Sequence, residues 1–134
     1  MNADTLISRE QLNHLSGAII SSAIEVHRQM GPGLLESIYQ YCLVTELRSR
    51  AIRVDEAIPV QLHYKTTTLD KKFVLYLLVD GEIVLEIKAI DEIAPIHEAQ
   101  LLTYMKLTKK RLGLLLNFNV PLMKDGIKRM VLNL

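Results

Sequence analysis

The sequence predicts an α/β fold of the mixed α+β kind, in which two helices precede a β-sheet and a further helix crosses between two of its strands. Apolar residues recur at helical spacing up to about residue 50 and alternate with polar residues after it. Near the carboxyl end, two apolar segments flank a short helical pattern, which is the spacing of a β-α-β crossover. The predicted order is therefore α-α-β-β-β-α-β-β, in a single domain that covers residues 1–134.

The first 50 residues predict two helices. Ser8 and Gln11 have the spacing of a capping box, which opens a helix that ends at the Gly-Pro-Gly turn of residues 31–33. A second helix is predicted over residues 34–50, with Glu36 at the edge of its buried face. The predicted apolar stripe of this helix consists of Leu35, Ile38, Tyr39, Cys42 and Leu43.

Three strands are predicted next. Val60, Leu62 and Tyr64 alternate with polar residues, as in a half-buried strand. Two further strands, over residues 73–79 and 83–90, are joined at Asp80-Gly81, which is a strong hairpin signal.

The crossover follows the hairpin. A helix over residues 97–107 leads to a nearly continuous apolar run at 112–118, which is typical of a central strand buried on both faces. A turn at 124–126 precedes the last strand, over residues 127–132. The strands before and after this helix are expected to be parallel neighbours.

Composition excludes several classes of protein. Hydrophobic residues make up 49% and charged residues 23%, as in an ordinary globular domain. The single Cys42 cannot form an internal disulfide, which favours a reducing, cytoplasmic setting. No apolar run approaches the ~20 residues that span a membrane, and the amino terminus lacks the layout of a signal peptide. A membrane span, a secreted disulfide scaffold and a zinc finger are thus not expected.

Positive charge is concentrated near the carboxyl end. Residues 101–134 carry seven Lys and Arg against one Asp, whereas residues 1–100 carry nine against fourteen acidic residues. Such an excess can attract phosphates, and it is equally typical of a solvated helix end. The candidate nucleic-acid-binding residues are Lys106, Lys109, Lys110 and Arg111.

The strand over residues 83–90 carries the most informative pair of charges. Glu86 and Lys88 interrupt an apolar run and, being two residues apart, point to the same face of the sheet. One interpretation is an ordinary surface ion pair. The other is a phosphodiester hydrolysis site, in which the carboxylate holds a hard divalent cation and the lysine stabilises developing phosphoryl charge.

Four segments in collinear order give this pair a context. They are GPGLLESIY at 31–39, LEIKAI at 85–90, HEAQLLTY at 97–104 and LGLLLNFNVPLMKDGIKRMV at 112–131. The first contains a G-x-x-E-x-x-Y pattern formed by Gly33, Glu36 and Tyr39. Together the segments resemble the GxxExxY protein family, small bacterial and archaeal domains of the PD-(D/E)xK nuclease superfamily. The resemblance extends from about residue 19 to residue 131.

The resemblance implies a restriction-endonuclease-like core and a metal-dependent nuclease that uses Mg²⁺ or Mn²⁺ on DNA or RNA. It implies that Glu86 is a metal ligand and Lys88 the catalytic lysine. Gln100 and Tyr104 match a Q-x-x-x-Y element that lies beside the metal and contacts substrate, and residues four apart share one face of a helix. Glu36 matches the helical glutamate of the family, which would approach the same site from the second helix. It is also a candidate second metal ligand, a role that would differ from the one in the family.

One position departs from the pattern of the family. Tyr76 stands where the resemblance leads us to expect a metal-binding aspartate. Asp80 is a poor substitute, because six residues of strand place it roughly 20 Å from Glu86. A three-residue turn would place Tyr76 opposite Glu86, whereas a two-residue turn would place Leu75 there, and the sequence leaves this register open.

Two hypotheses follow. In the first, the chain is a metal-dependent nuclease with Glu86, Lys88, Gln100, Tyr104 and Glu36 at its site. In the second, which Tyr76 favours, it is a non-catalytic module that binds nucleic acid or a protein on the same fold. Exposed apolar residues near 120–123 leave a homodimer as a further expectation.

Overall fold

The computed structural model describes residues 6–134, apart from the side chains of residues 71 and 72. The order of its helices and strands is the predicted one. The elements are α1 (Arg9–Met30), α2 (Glu36–Ser49), β1 (Val54–Tyr64), β2 (Thr67–Val79), β3 (Ile83–Lys88), α3 (Pro95–Thr108), β4 (Leu112–Asn117) and β5 (Ile127–Val131), with a short 3₁₀-helix over Met123–Gly126 where the turn was predicted.

The described strands form one five-stranded sheet in the order β1-β2-β3-β4-β5. Strands β3 and β4 are parallel and joined by α3, while the other neighbouring pairs are antiparallel. All six residues of β4 are buried, so the prediction of a central strand is confirmed. Among the described residues, none of the helices has the length and apolar character that crossing a membrane requires.

Helices cover both faces of the sheet. One hydrophobic cluster lies between the sheet and the α1–α2 pair, and includes Ile83, Leu85 and Ile87 of β3. A second, smaller cluster lies between the sheet and α3, and includes Val84 and Leu115. Because side chains alternate along a strand, Glu86 and Lys88 belong to the α3 face.

The ends of α1 are as predicted. The Oγ of Ser8 accepts a hydrogen bond from the Gln11 backbone N–H at 3.0 Å, and the Gln11 side chain accepts one from the Ser8 N–H at 2.8 Å. This reciprocal capping box begins the helix, and the Gly31 N–H closes it by donating to the carbonyl oxygen of His27.

The predicted buried stripe of α2 is partly wrong. Tyr39 and Leu43 are buried, but Leu35 is 69% exposed and Ile38 is on the surface. Leu35 is the N-cap of the helix and therefore precedes its regular turns. The buried face continues instead along the i+4 row through Leu47 and includes Val44.

The hairpin register is now defined. Val79 pairs with Ile83 and Leu77 with Leu85, so three residues, 80–82, form the turn. This is the three-residue alternative that the sequence left open, and the ladder ends just before Tyr76 and Glu86 would pair.

Candidate functional site

The β2–β3 hairpin divides into a fork next to the Glu86–Lys88 pair. The ladder between the two strands ends at Leu77 and Leu85, whereas β3 continues to Lys88 with β4 as its partner. A cleft of about 480 Å³ lies in this fork and is open to both α2 and α3. Because the two strands separate here, residues of α2, β3 and α3 that the sequence motifs singled out can line the same cavity.

Strands β1 and β2 turn away from β3 at Tyr76. Leu75 packs in the cluster under α3, whereas Leu77 packs in the cluster under α1 and α2. The pairs Glu56–Leu77 and Ile58–Leu75 continue in one register across this step, and Ala57 between them has a φ of 53°. A positive φ at a non-glycine residue marks a local bend of the ribbon.

The cleft brings together every catalytic and metal-binding candidate that the sequence singled out. Its floor is formed by Glu86 and Lys88, with Leu77, Leu85 and Ile87 beside them. The polar and aromatic residues around this floor are Glu36, Ser37, Gln40, Tyr76, Gln100 and Tyr104. Ser37 and Gln40 were not anticipated, although Gln40 follows Glu36 by four residues and thus shares its helical face.

Glu86 and Lys88 form a loose, partly buried ion pair. Their Oε1 and Nζ atoms are 3.7 Å apart, and their side chains are only 14% and 19% exposed. Burial raises the pKa of the Glu86 carboxyl above its ordinary value, the Lys88 ammonium lowers it, and the negative charge of Glu36 raises it. Glu36 and Glu86 thus line one cleft, and the charge of Glu36 adds to the rise in the pKa of Glu86.

Helix α3 carries Gln100 and Tyr104 to the other side of the cleft. Its first turn is closed by the Ala94 N–H, which donates to Nδ1 of His97 at 2.8 Å. The ring of Tyr104 stacks on Phe73 of β2, with 5.3 Å between ring centres. Burial raises the pKa of the Tyr104 hydroxyl, and the nearby Glu86 carboxylate contributes to this shift.

The G-x-x-E-x-x-Y segment combines two structural residues with one cleft residue. Gly33 has a φ of 98°, which an L-residue adopts only with strain. The Tyr39 hydroxyl donates to the Gly31 carbonyl oxygen and accepts from the Leu34 N–H at 3.1 Å, so it holds the turn closed. Glu36, at the first turn of α2, is left facing the cleft, where the helix dipole favours its negative charge.

Two contacts connect the amino end of α2 and the end of β3 to β4. The Tyr39 ring stacks on Phe118 with ring centres 4.6 Å apart and planes within 8°. Asn117, 2% exposed, donates to the Ile90 carbonyl oxygen at 2.9 Å and accepts from the Ile90 and Asn119 N–H groups at 3.1 and 3.2 Å. Together with the Phe118 N–H bond to the Lys88 carbonyl oxygen, this clamp holds the chain that follows the E-x-K pair.

Carboxylates in the cleft fit a magnesium-type cation with a small donor set. Within residues 6–134, no three His, Cys, Asp or Glu side chains are grouped to hold a metal ion. Mg²⁺ is, however, commonly held by one or two carboxylates together with water and substrate phosphates. Glu86 and Glu36 are the two carboxylates that line this cleft, whereas Asp80 lines a different cavity beside α1.

The basic residues near the carboxyl end lie apart from this cleft. Lys106, Lys109, Lys110 and Arg111 line a separate cavity at the carboxyl end of α3. Arg111 is engaged by the Ile7 carbonyl oxygen at 3.0 Å and lies 3.9 Å from the Glu82 carboxylate. Gln100 lies about 14 Å from Lys109 along the helix, at 1.5 Å per residue.

Comparison with known proteins is consistent with this architecture. A family model of the PD-(D/E)XK nuclease superfamily matches residues 13–130, which extend from the first turns of α1 to the last residue but one of β5. No curated protein and no solved structure matches the chain significantly. The mixed sheet with helices on both faces agrees with a restriction-endonuclease-like fold. The chain belongs to the PD-(D/E)XK nuclease superfamily.

Proposed function

We propose that the chain is a weak, divalent-cation-dependent nuclease of the GxxExxY type within this superfamily. The observation that carries the proposal is the presence of Glu86, Lys88, Gln100 and Glu36 around one cleft. A carboxylate pair can hold a divalent cation and a lysine beside it can stabilise developing phosphoryl charge, which are two contributions that metal-assisted hydrolysis of a phosphodiester uses.

Each of these residues has a defined task in the proposed reaction. Glu86 and Glu36 would hold Mg²⁺ or Mn²⁺, and the bound cation would neutralise charge on the phosphate. Lys88 donates a hydrogen bond to the phosphoryl oxygen on which negative charge develops. Gln100 and Tyr104 orient the nucleotide from α3, where both side chains line the cleft.

Tyr76 is the reason why we expect weak activity. A tyrosine offers a cation only a phenol oxygen, whereas an aspartate offers a carboxylate, the ligand that Mg²⁺ prefers. The cleft therefore has one carboxylate fewer than the pattern of the family calls for, and the cation is held less tightly. Glu36 supplies the second carboxylate from a different element of the fold.

Cleavage of plasmid and single-stranded DNA with Mg²⁺, and separately with Mn²⁺, tests the proposal. Slow cutting by the wild type, no cutting by Glu86→Ala and faster cutting by Tyr76→Asp are expected. Tyr64→Asp is the matched control, since Tyr64 is 64% exposed on β1 and does not line the cleft. Cutting that persists in Glu86→Ala at wild-type rate would contradict the proposal.

Tyr76 itself favours a second candidate function, a non-catalytic module that binds nucleic acid or a protein. In that case wild type is silent with both metals, and Tyr76→Asp alone cuts. In both candidate functions, positive charge would attract phosphates at long range to the cavity lined by Lys106, Lys109, Lys110 and Arg111. The proposed substrate is DNA or RNA, and the proposed location is the cytoplasm. We further propose that two copies of the chain form a homodimer through the exposed Leu122.

A further inference from the structure

The mouth of the cleft carries an aromatic surface that the hydrolysis chemistry does not need. Tyr76 is 58% exposed, although it lies beside a partly buried ion pair. The described residues contain two stacked aromatic pairs, Tyr39–Phe118 and Phe73–Tyr104, and Tyr76 belongs to neither. Tyr76 is therefore a largely exposed ring in the lining of the cleft, with no stacked aromatic partner among the described residues.

Charge in the cleft gives phosphates little attraction of their own. The charged residues that line it are Glu36, Glu86 and Lys88, which sum to one negative charge when all are ionised. Neutralisation of phosphates by Lys and Arg normally supplies most non-specific affinity for nucleic acid. A nucleotide bound here needs another contact, and an exposed aromatic ring is one that every base can use.

The kind of nucleotide follows from the geometry of stacking. In a duplex both faces of an internal base are covered by neighbouring bases, so an exposed ring can stack only on an unpaired base. A cleft of about 480 Å³ is also in the range that accommodates one small-molecule-sized ligand.

We infer that Tyr76 is a stacking platform for an unpaired base, so that this cleft selects single-stranded over duplex nucleic acid. The inference rests on the proposed function, because it takes the cleft to be the nucleic-acid site. The base stacks on Tyr76, beside the Phe73–Tyr104 pair, and its phosphate lies toward Glu86 and Lys88. The residue that weakens the cation site thereby acts as a determinant of substrate class.

Fluorescence anisotropy with CaCl₂ tests this inference independently of cleavage. The probes are a labelled oligothymidine strand, an abasic strand of the same length and a duplex of that length. Wild type is expected to bind the oligothymidine at least about tenfold more tightly than the other two probes, which is the size of one base–aromatic stack. Tyr76→Leu should lose this preference, and Tyr76→Phe, which keeps the ring, should retain it.

Tyr64→Leu is the matched control, since it removes an equally exposed tyrosine from the same sheet outside the cleft. Equal binding of the oligothymidine and abasic strands by the wild type would overturn the inference without recourse to any variant. Wild-type affinity in Tyr76→Leu would overturn it as well. Tyr76-dependent binding without cleavage in Mg²⁺ or Mn²⁺ would support the stacking platform and refute the nuclease, which separates the two claims.

Discussion

Replacing Asn117 by alanine should destabilise the protein strongly, because this one side chain connects the ends of two strands. Its amide makes three hydrogen bonds to backbone groups, two to Ile90 and one to Asn119, at 2.9 to 3.2 Å. The residue is 2% exposed, so water is not available to replace these bonds without rearrangement.

The size of the effect follows from these contacts. A net value of about 1 kcal/mol per hydrogen bond gives a loss of about 3 kcal/mol in the free energy of unfolding for Asn117→Ala. At 2.1 cal/mol/K per residue, a chain of 134 residues loses roughly 3.5 °C of Tm per kcal/mol. We therefore expect a Tm about 10 °C below that of the wild type, measured by thermal unfolding followed by circular dichroism.

Asn119→Ala is the matched control. Asn119 is half-buried, and its amide makes only a long contact of 3.5 Å with Asp91. This variant should unfold within about 2 °C of the wild type, which corresponds to roughly 0.5 kcal/mol. A similarly small shift in Asn117→Ala would refute the reasoning, since it would mean that the clamp does not hold the end of β3.

For three further substitutions, the structure predicts whether stability or a pKa rises or falls. Gly126→Ala places a Cβ atom 2.0 Å from the backbone oxygen of Asn117, so we expect a loss of about 3 kcal/mol or more in a urea titration. Glu36→Gln removes a negative charge that raises the pKa of Glu86, so NMR titration of the labelled carboxyl should give a lower pKa. His97→Ala removes the acceptor for the N-cap N–H of α3 and should cost about 1 kcal/mol, measured by thermal unfolding.

Each of these changes has a control at a neutral position. Gly17→Ala lies mid-way along α1 on its exposed side, where the new Cβ meets no atom outside its own stretch of helix, and should stabilise the protein by up to about 1 kcal/mol. Glu46→Gln should leave the pKa of Glu86 unchanged, since Glu46 pairs with Arg50 on α2 outside the cleft. His14→Ala, on the exposed side of α1, should stay within about 0.5 kcal/mol of the wild type. If a control variant changes the measured stability or pKa as much as its test variant does, the structural explanation of that test variant is wrong.

The raised pKa of Glu86 also predicts how stability and cation binding change with pH. The folded chain holds this proton more tightly than the unfolded chain, so the stabilisation from protonated Glu86 is present below pH 4.5 and is lost as the pH rises through the folded value. Cation binding needs the ionised carboxylate and has the opposite dependence. A carboxyl with a raised pKa is therefore expected to lose its cation at a higher pH during acidification than an ordinary glutamate.

The order of elements was predictable because each depends on local patterns. The capping box at Ser8 and the apolar run of β4 act within a few residues, and the structure agrees with both. The hairpin register was not predictable, because Asp80-Gly81 suits turns of two and of three residues. The prediction of the buried side of α2 was wrong at Leu35. This residue precedes the regular helix, and where the helix begins depends on the conformation of the Gly-Pro-Gly turn before it.

The sequence identified the chemical candidates but not what brings them together. Glu86 and Lys88 are adjacent on one strand face, and Gln100 and Tyr104 on one helix face, so periodicity alone pairs each set. Their meeting with Glu36 depends on the fork between β2 and β3, which is a tertiary feature. The Asn117 clamp depends in the same way on a contact between residues 27 positions apart.

Tyr76 is compatible with the fold for a reason that also explains its effect on chemistry. An aspartate at this position would add a third negative charge beside Glu86 and Glu36, which already repel each other enough to affect the pKa of Glu86. Without a cation such a site is self-repulsive, and the cation is what compensates for it. A neutral, exposed tyrosine adds no further negative charge to the two carboxylates. On the proposed function, the side chain at this position sets the balance between affinity for a cation and affinity for a base: an aspartate favours the cation, and a tyrosine favours the base.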